Sequence, residues 1–235
     1  KLDTNHLREV WRAELGPSYS GPIVAADRVF ATESKDKKFE MVTALDRSTG
    51  KQLWRAQWEG AMSVPFFAKS NGDWVRSTPA LDGDRLYVAG MRDLLVCLDA
   101  RDGKEVWRKD FVKELKTPLP DFGFVCSPLV DGDAVYVQAA AGFVRLNKHT
   151  GEVVWRTLAD KGGVWGGAFS SPLIATLAGQ RQLLVQTRDQ LAGVNLADGK
   201  VLWSQPVKAL RGMNILTPVS YNDTLFTSAF GGKTI

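Results

Sequence analysis

One twelve-residue phrase is written four times in this chain, and that repetition limits the fold more than any other feature. It reads ALDRSTGKQLWR from Ala44, CLDARDGKEVWR from Cys97, RLNKHTGEVVWR from Arg145 and GVNLADGKVLWS from Gly193. Its tryptophans, Trp54, Trp107, Trp155 and Trp203, are 53, 48 and 48 residues apart. Its glycines, Gly50, Gly103, Gly151 and Gly199, keep the same intervals. A period of this length marks stacked structural repeats, and propeller blades fit it best.

Each repeat reads as four short strands. In the second, STPALDG (from Ser77) opens with Pro79 at a strand start, where a missing N–H does least harm. DRLYVAG (from Asp84) follows an Asp-Gly-Asp turn, and the apolar run LLVCLDA (from Leu94) leads through ARDG into KEVWR. The other opening strands carry Pro22, Pro128, Pro172 and Pro218. Four residues before each repeat glycine stands Asp46, Asp99, Asn147 or Asn195, whose short side chain closes a turn by bonding the backbone two residues on. The glycine then takes the left-handed conformation of a bulged hairpin loop. In the closing strand, Leu53/Trp54, Val106/Trp107, Val154/Trp155 and Leu202/Trp203 point to opposite faces. Apolar residues on both faces imply a sheet held between two neighbours, with the Trp docked on the next blade.

The expected fold is therefore all-β: a β-propeller of four-stranded antiparallel blades, four full blades plus partial blades at both ends. One incomplete domain occupies residues 1–235, with repeats at about 16–58, 75–112, 124–160 and 169–207 and partial blades at 1–15 and 213–235. Trp11 matches the closing strand of an earlier blade. The start at Lys1 without Met and the end in AFGGKTI, inside a repeat, imply that both ends are cut. KDFVKELK (from Lys109) is at most a turn or two of helix within an inter-blade loop.

Composition removes several function classes. No run of about 18 apolar residues exists to span a membrane. The net charge of +4 is scattered, its densest cluster, KDKK at Lys35–Lys38, reads as a solvated loop tip, and there is no basic stripe with stacking aromatics for nucleic acid. Cys97 and Cys126 lie in apolar runs without metal-ligand spacing and read as buried thiols, with a disulfide between them left open. The two histidines, His6 and His149, have no visible Ser or Asp partner for nucleophilic catalysis.

The combined pattern L-[DN]-x-x-[TD]-G-[KE]-x-[LV]-W, with Ser/Thr-Pro opening strands, resembles the pyrroloquinoline-quinone (PQQ)-like β-propeller repeat family, over nearly the whole chain. The resemblance implies a ring of seven or eight blades, of which this chain supplies four to five, and a place in the periplasm or cell envelope. One branch of the family, the quinoprotein alcohol dehydrogenases, holds PQQ and Ca²⁺ in a central funnel. Another, the outer-membrane-protein assembly lipoprotein type, binds protein partners without catalysis. The texture of ELGPSYSGPIVAADRVFATES and FGFVCSPLVDGDAVYV looks most like envelope repeat proteins of planctomycete type. The adjacent-cysteine pair of the dehydrogenases is absent here, because Cys97 and Cys126 lie in different repeats.

Ligand-lining positions in such a ring precede each innermost strand. Here they are Ser18, Tyr19 and Ser20; Trp74 and Arg76; Asp121 and Phe122; Trp165 and Phe169; and Arg211, Met213 and Asn214. Arg76 and Arg211 suit carboxylates, Trp165 lies among glycines, and Asp121 and Asn214 offer oxygen. The bland reading has these aromatics capping blade interfaces and the arginines at the rim. Three functions follow. The leading one is a non-catalytic scaffold that binds a protein or envelope polymer and needs no cofactor. The first alternative is a PQQ/Ca-dependent oxidoreductase using Arg76, Trp165, Arg211 and Asn214. The second is a carbohydrate- or small-ligand-binding module with Trp74, Trp165 and Phe122 as an exposed platform. Far-UV circular dichroism is expected to show a β-rich spectrum; a helical signal from a quarter of the chain would sink the propeller assignment.

Overall fold

In the computed structural model, residues 8–160 and 168–232 are described. They form four four-stranded antiparallel sheets and one two-stranded sheet, each a simple meander. Blade 1 comprises β1 (Ile23–Val24), β2 (Arg28–Lys35), β3 (Phe39–Asp46) and β4 (Gln52–Glu59). Blade 2 comprises β5 (Ala80–Asp82), β6 (Arg85–Gly90), β7 (Leu94–Asp99) and β8 (Glu105–Asp110). Blade 3 comprises β9 (Leu129–Asp131), β10 (Ala134–Ala139), β11 (Gly142–Asn147) and β12 (Val153–Thr157). Blade 4 comprises β13 (Leu173–Leu177), β14 (Gln180–Gln186), β15 (Gln190–Val194) and β16 (Val201–Pro206), and β17 (Val219–Tyr221) pairs with β18 (Thr224–Phe226) beyond it. The expected helical turn is α1, Phe111–Leu115, capped by the Asp110 carboxylate on the Lys113 N–H.

Strand alternation sends successive side chains of one blade to different neighbours. Leu86 and Val88 of β6 pack with Phe30, Val42 and Trp54 of blade 1. Tyr87 and Ala89 of the same strand pack with Val135, Val137 and Val144 of blade 3. The opposite face of blade 3, with Tyr136 and Phe143, meets Leu183, Val185 and Ala192 of blade 4. Blades 2 and 3 are thus buried on both faces, which is why β6, β7 and β10 are nearly continuous apolar runs. Cys97 and Cys126 are both buried and free, so no disulfide joins them.

The repeat tryptophans fasten blade to blade. The indole N–H of Trp54 donates to the Ala100 carbonyl at 3.0 Å, and that of Trp107 to the Lys148 carbonyl at 3.0 Å. Trp155 does the same to Leu196, and Trp11 to Arg47. Every acceptor is the residue just after the turn Asp or Asn, so the same bond recurs at four junctions. The ring also lies flat on the next blade's turn glycine: a Cβ added at Gly103 would sit 2.5 Å from Trp54, and at Gly151 2.7 Å from Trp107. These glycines have φ of +76° and +73°. They are needed twice, for the left-handed turn and to leave room for a ring. Trp203 instead donates to Gln182 within its own blade. The turn side chains act as expected: Asp46 accepts from the Ser48 and Thr49 N–H groups, and Asn147 from those of His149 and Thr150.

The residues beside the tryptophans depart from expectation. Leu53, Val106, Val154 and Leu202 are solvent-exposed, not buried against a second neighbour. In each blade the ladder between the third and fourth strands shifts register there: Ala44 pairs Trp54 while Leu45 pairs Gln52, leaving Leu53 as the extra residue. Val106, Val154 and Leu202 hold the same place. A bulge at each closing strand turns that residue outward to the rim. His149 is also corrected: its Nε2 lies 3.4 Å from Asp133, in an exposed turn. His6 lies outside the described residues. Lys35–Lys38 form the exposed tip between β2 and β3, as expected.

A second fastening runs through the opening strands. The Gly21 N–H donates to the Thr78 hydroxyl, Thr78 N–H to Ser127, Ser127 N–H to Ser171, and Ser171 N–H to Thr217, at 3.2, 3.1, 2.9 and 3.3 Å. Each acceptor precedes a proline, which holds it extended. Replacing Trp54 or Trp107 by Ala is expected to cost about 3–5 kcal/mol in chemical denaturation. Trp203→Ala is expected to cost clearly less, and equal losses would show that docking on the next turn adds nothing.

Candidate functional site

The inter-blade loops carry the sequence-predicted ligand positions, and the structure sorts them into separate groups. At the first loop the Tyr19 N–H donates to the Val75 carbonyl at 2.8 Å, and the Ser18 hydroxyl reaches the same oxygen at 3.4 Å. The Ser20 N–H in turn donates to the Ser18 hydroxyl. This clamp sets Tyr19 beside Trp74, ring centroids 5.2 Å apart, and under the Arg76 guanidinium at 5.0 Å. Arg76 also donates to the Gly72 carbonyl, while its buried Nε has no partner among the described residues. Burial pulls the Arg76 pKa below the usual arginine value.

Asn214 is fully buried, and its amide nitrogen donates to the Thr187 and Val207 carbonyls at 2.9 and 2.8 Å. Its Oδ1 is buried without a partner among the described residues. Arg211 lies in the 3-10 turn Leu210–Gly212 with a left-handed φ of 57°, and Met213 follows it. The partners of Arg76 (Tyr19, Gly72) and those of Asn214 (Thr187, Val207) share no residue. Trp165 falls outside the described residues. Among the described residues no three His, Cys, Asp or Glu side chains gather as a metal-holding group. A flat tricarboxylate with Ca²⁺ needs convergent cations and six to eight oxygens, and Arg76 and Asn214 are each bonded to carbonyls of their own loops.

Among the described residues the largest aromatic grouping joins Phe122 and Phe169, singled out from the sequence, to Phe66 and Phe67, which were not. The 3-10 turn Phe66–Asn71 presents Phe66 and Phe67, 5.5 Å apart, from the loop between blades 1 and 2. Phe67 meets Phe122 of the next loop at 6.3 Å, and Phe122 meets Phe169 of the third at 5.6 Å. A ridge of four rings therefore crosses three loops, with Phe66 84% exposed at its end. The signal was present in VPFFAKS, two adjacent phenylalanines in an inter-blade loop. Trp74 and Phe122, expected on one platform, have their ring partners in Tyr19 and in Phe67 and Phe169 respectively. Asp121 stands beside Phe122 with a buried carboxylate oxygen that meets no donor among the described residues.

Two buried acids, also missed, latch adjacent blades. Glu40 accepts from the Met91 N–H at 2.6 Å, across the junction of blades 1 and 2, and from the Trp58 indole at 2.7 Å. Asp93 accepts from the Ala140 N–H at 2.9 Å, across the junction of blades 2 and 3. Burial pushes both carboxyls up to about 7. Single acids among scattered acids carry no sequence signal for this.

A family profile described as "Outer membrane protein assembly factor BamB" matches residues 1–60 and 38–235. The assembly factor BamB of Yersinia pestis is 21% identical over 240 residues, 96% of this chain and 56% of that protein. The quinohemoprotein alcohol dehydrogenase ADH IIB of Pseudomonas putida is 31% identical over 122 residues, 49% of this chain and 17% of that enzyme. Among solved structures, BamB from Moraxella catarrhalis superposes with a TM-score of 0.69 at 17% identity, covering 93% of this chain and 60% of that one. That likeness establishes the propeller fold. The chain spans little more than half the length of the BamB relatives it matches.

The buried acids set a pH expectation. A carboxyl whose folded pKa exceeds its unfolded value binds more protons when folded, so its contribution to stability falls as pH rises from about 4 to about 7. Wild-type protein is expected to lose stability across that window. Asp93→Asn keeps an oxygen for the Ala140 N–H and is expected to flatten the profile in urea denaturation; superimposable profiles would count against a buried titrating latch.

Proposed function

Because the chain belongs to the family described as outer membrane protein assembly factor BamB, we propose that it is a non-catalytic propeller scaffold. It binds protein partners of outer membrane protein assembly in the cell envelope, on the periplasmic side. The observation that carries this reading is the ridge Phe66–Phe67–Phe122–Phe169. Phe66 and Phe67 are exposed, Phe122 and Phe169 are half-buried, and exposed aromatic rings are costly in water and enriched at protein–protein contacts. A rigid stack of blades holds them in a fixed row, so little ordering entropy is lost when a partner covers them. No helix among the described residues is long and apolar enough to cross a membrane.

The identity with a quinohemoprotein dehydrogenase over half the chain keeps a PQQ/Ca²⁺ oxidoreductase as the second reading. On it, Arg76, Trp165, Arg211 and Asn214 are the residues to replace first.

In cells relying on the complete protein, Phe66→Ala/Phe67→Ala is expected to lower outer-membrane protein assembly several-fold while circular dichroism and denaturation stay unchanged. Assembly at the wild-type level would remove the ridge as the contact. Saturable tryptophan quenching by PQQ with Ca²⁺, together with dye-linked alcohol oxidation, would replace this reading by the second.

A further inference from the structure

A cavity opens where blades 2 and 3 meet, beneath the loops that join the blades. Leu119, Phe124, Ala140 and Leu158 form apolar walls, and among the described residues the ionisable side chains in its lining are two acids, Asp93 and Asp160. Asp93 is 2% exposed and sits in the turn Gly90–Leu94 with a left-handed φ of 55°. Its Oδ2 accepts from the Ala140 N–H, and among the described residues no donor reaches its Oδ1. Asp160 stands at the cavity's exposed side, its backbone N–H bonded to the Ala141 carbonyl. Of the other polar side chains in the wall, the Gln138 amide is committed to the Ser170 and Gln186 carbonyls and the Thr187 hydroxyl to the Gln190 carbonyl. The cavity therefore pairs a desolvated acceptor with hydrocarbon walls, and none of the described residues that line it is a Lys, Arg or His.

We propose that this cavity binds an organic ammonium carried on an apolar stem, either a free alkylamine or the side chain of a lysine. A carboxylate held out of water gains most from a charged donor that arrives with its own hydrogen atoms. The enclosed space of about 50 Å³ takes the ammonium and the first methylenes of its stem, whose transfer from water is favourable for each CH₂ buried. A compact ammonium matches one available carboxylate oxygen; a guanidinium presents five donors in a planar fork and would leave most of them unmet. Alcohols fill the same space without the charge. The site is distinct from the aromatic ridge and does not depend on the function proposed above.

The groups that act electrostatically on Asp93 are the Asp110 carboxylate, the Arg156 guanidinium and the Cys126 thiol, besides Asp160 in the same cavity. Burial is the largest influence and holds the Asp93 carboxyl protonated below about 7. An alkylamine stays protonated throughout this range, so binding strengthens as pH rises past 7.

The test is calorimetric titration of the complete protein with n-hexylamine, 1-hexanol and Nα-acetyl-lysine amide at pH 8 and again near pH 5.5. Hexylamine or the lysine derivative is expected to bind at least about tenfold more tightly than the alcohol at pH 8, and to weaken at the lower pH. Asp93→Asn retains the bond to Ala140 and is expected to remove that preference for the amine. Tighter binding of the lysine derivative assigns the site to a partner's lysine, and tighter binding of hexylamine assigns it to a free amine. Equal affinity for amine and alcohol, amine binding unchanged by Asp93→Asn, or no saturation at millimolar amine would each overturn the proposal. The amine–alcohol comparison on wild-type protein stands even where the variant folds poorly.

Discussion

The contact between one blade's indole and the next blade's turn glycine organises this molecule. It joins three requirements in one place. The Asp or Asn side chain closes the turn, the left-handed glycine leaves a flat surface, and the ring covers that surface while its N–H takes the carbonyl after the Asp or Asn. Any one of them alone is weak. Together they link the outer edge of each blade to the outer edge of its neighbour, while the Ser/Thr hydroxyl belt links the opening strands. Between the two fastenings lie the apolar layers that supply most of the hydrophobic stabilisation.

Much of this was legible in the sequence because it repeats. Four copies of a turn and a Trp at a steady interval are difficult to read as anything but stacked blades, and the strand, turn and pairing pattern followed from Pro, Asx and Gly positions. The misreading of Leu53, Val106, Val154 and Leu202 has a definite cause. Alternation along a strand assumes an unbroken ladder, and the bulge beside each Trp breaks it at that residue. The belt was hidden for another reason. Its acceptors were visible as the Ser and Thr before each proline, but the donors come from the preceding blade about fifty residues earlier, a distance that local pattern does not reach.

The functional positions were less legible, because they lie where the repeats differ from one another. Loops before the opening strands were the right region: Tyr19, Trp74, Arg76, Phe122 and Phe169 all make ring or charge contacts there. Their grouping depended on loop geometry, which a single sequence does not encode by spacing. Phe66 and Phe67 were passed over because they precede the expected rim. Glu40 and Asp93 were passed over because a buried acid looks like any other acid until its surroundings are known.

The fastenings also have a direction. The indole N–H groups of Trp11, Trp54, Trp107 and Trp155, and the backbone N–H groups of the belt, point from each blade into the following one. Since the parts are nearly identical, any blade's Trp would fit any other blade's turn, and a folding chain faces the hazard of mating out of order by one full repeat. What distinguishes the junctions is the turn latch: Glu40 on Met91 at the first, Asp93 on Ala140 at the second, and Gln138 on the Ser170 and Gln186 carbonyls at the third. A carboxylate accepts where the Gln138 amide donates, so a shifted pairing leaves a buried group unanswered. The kind of latch thus sets the third junction apart from the first two, and limits how far the blades can mate out of order.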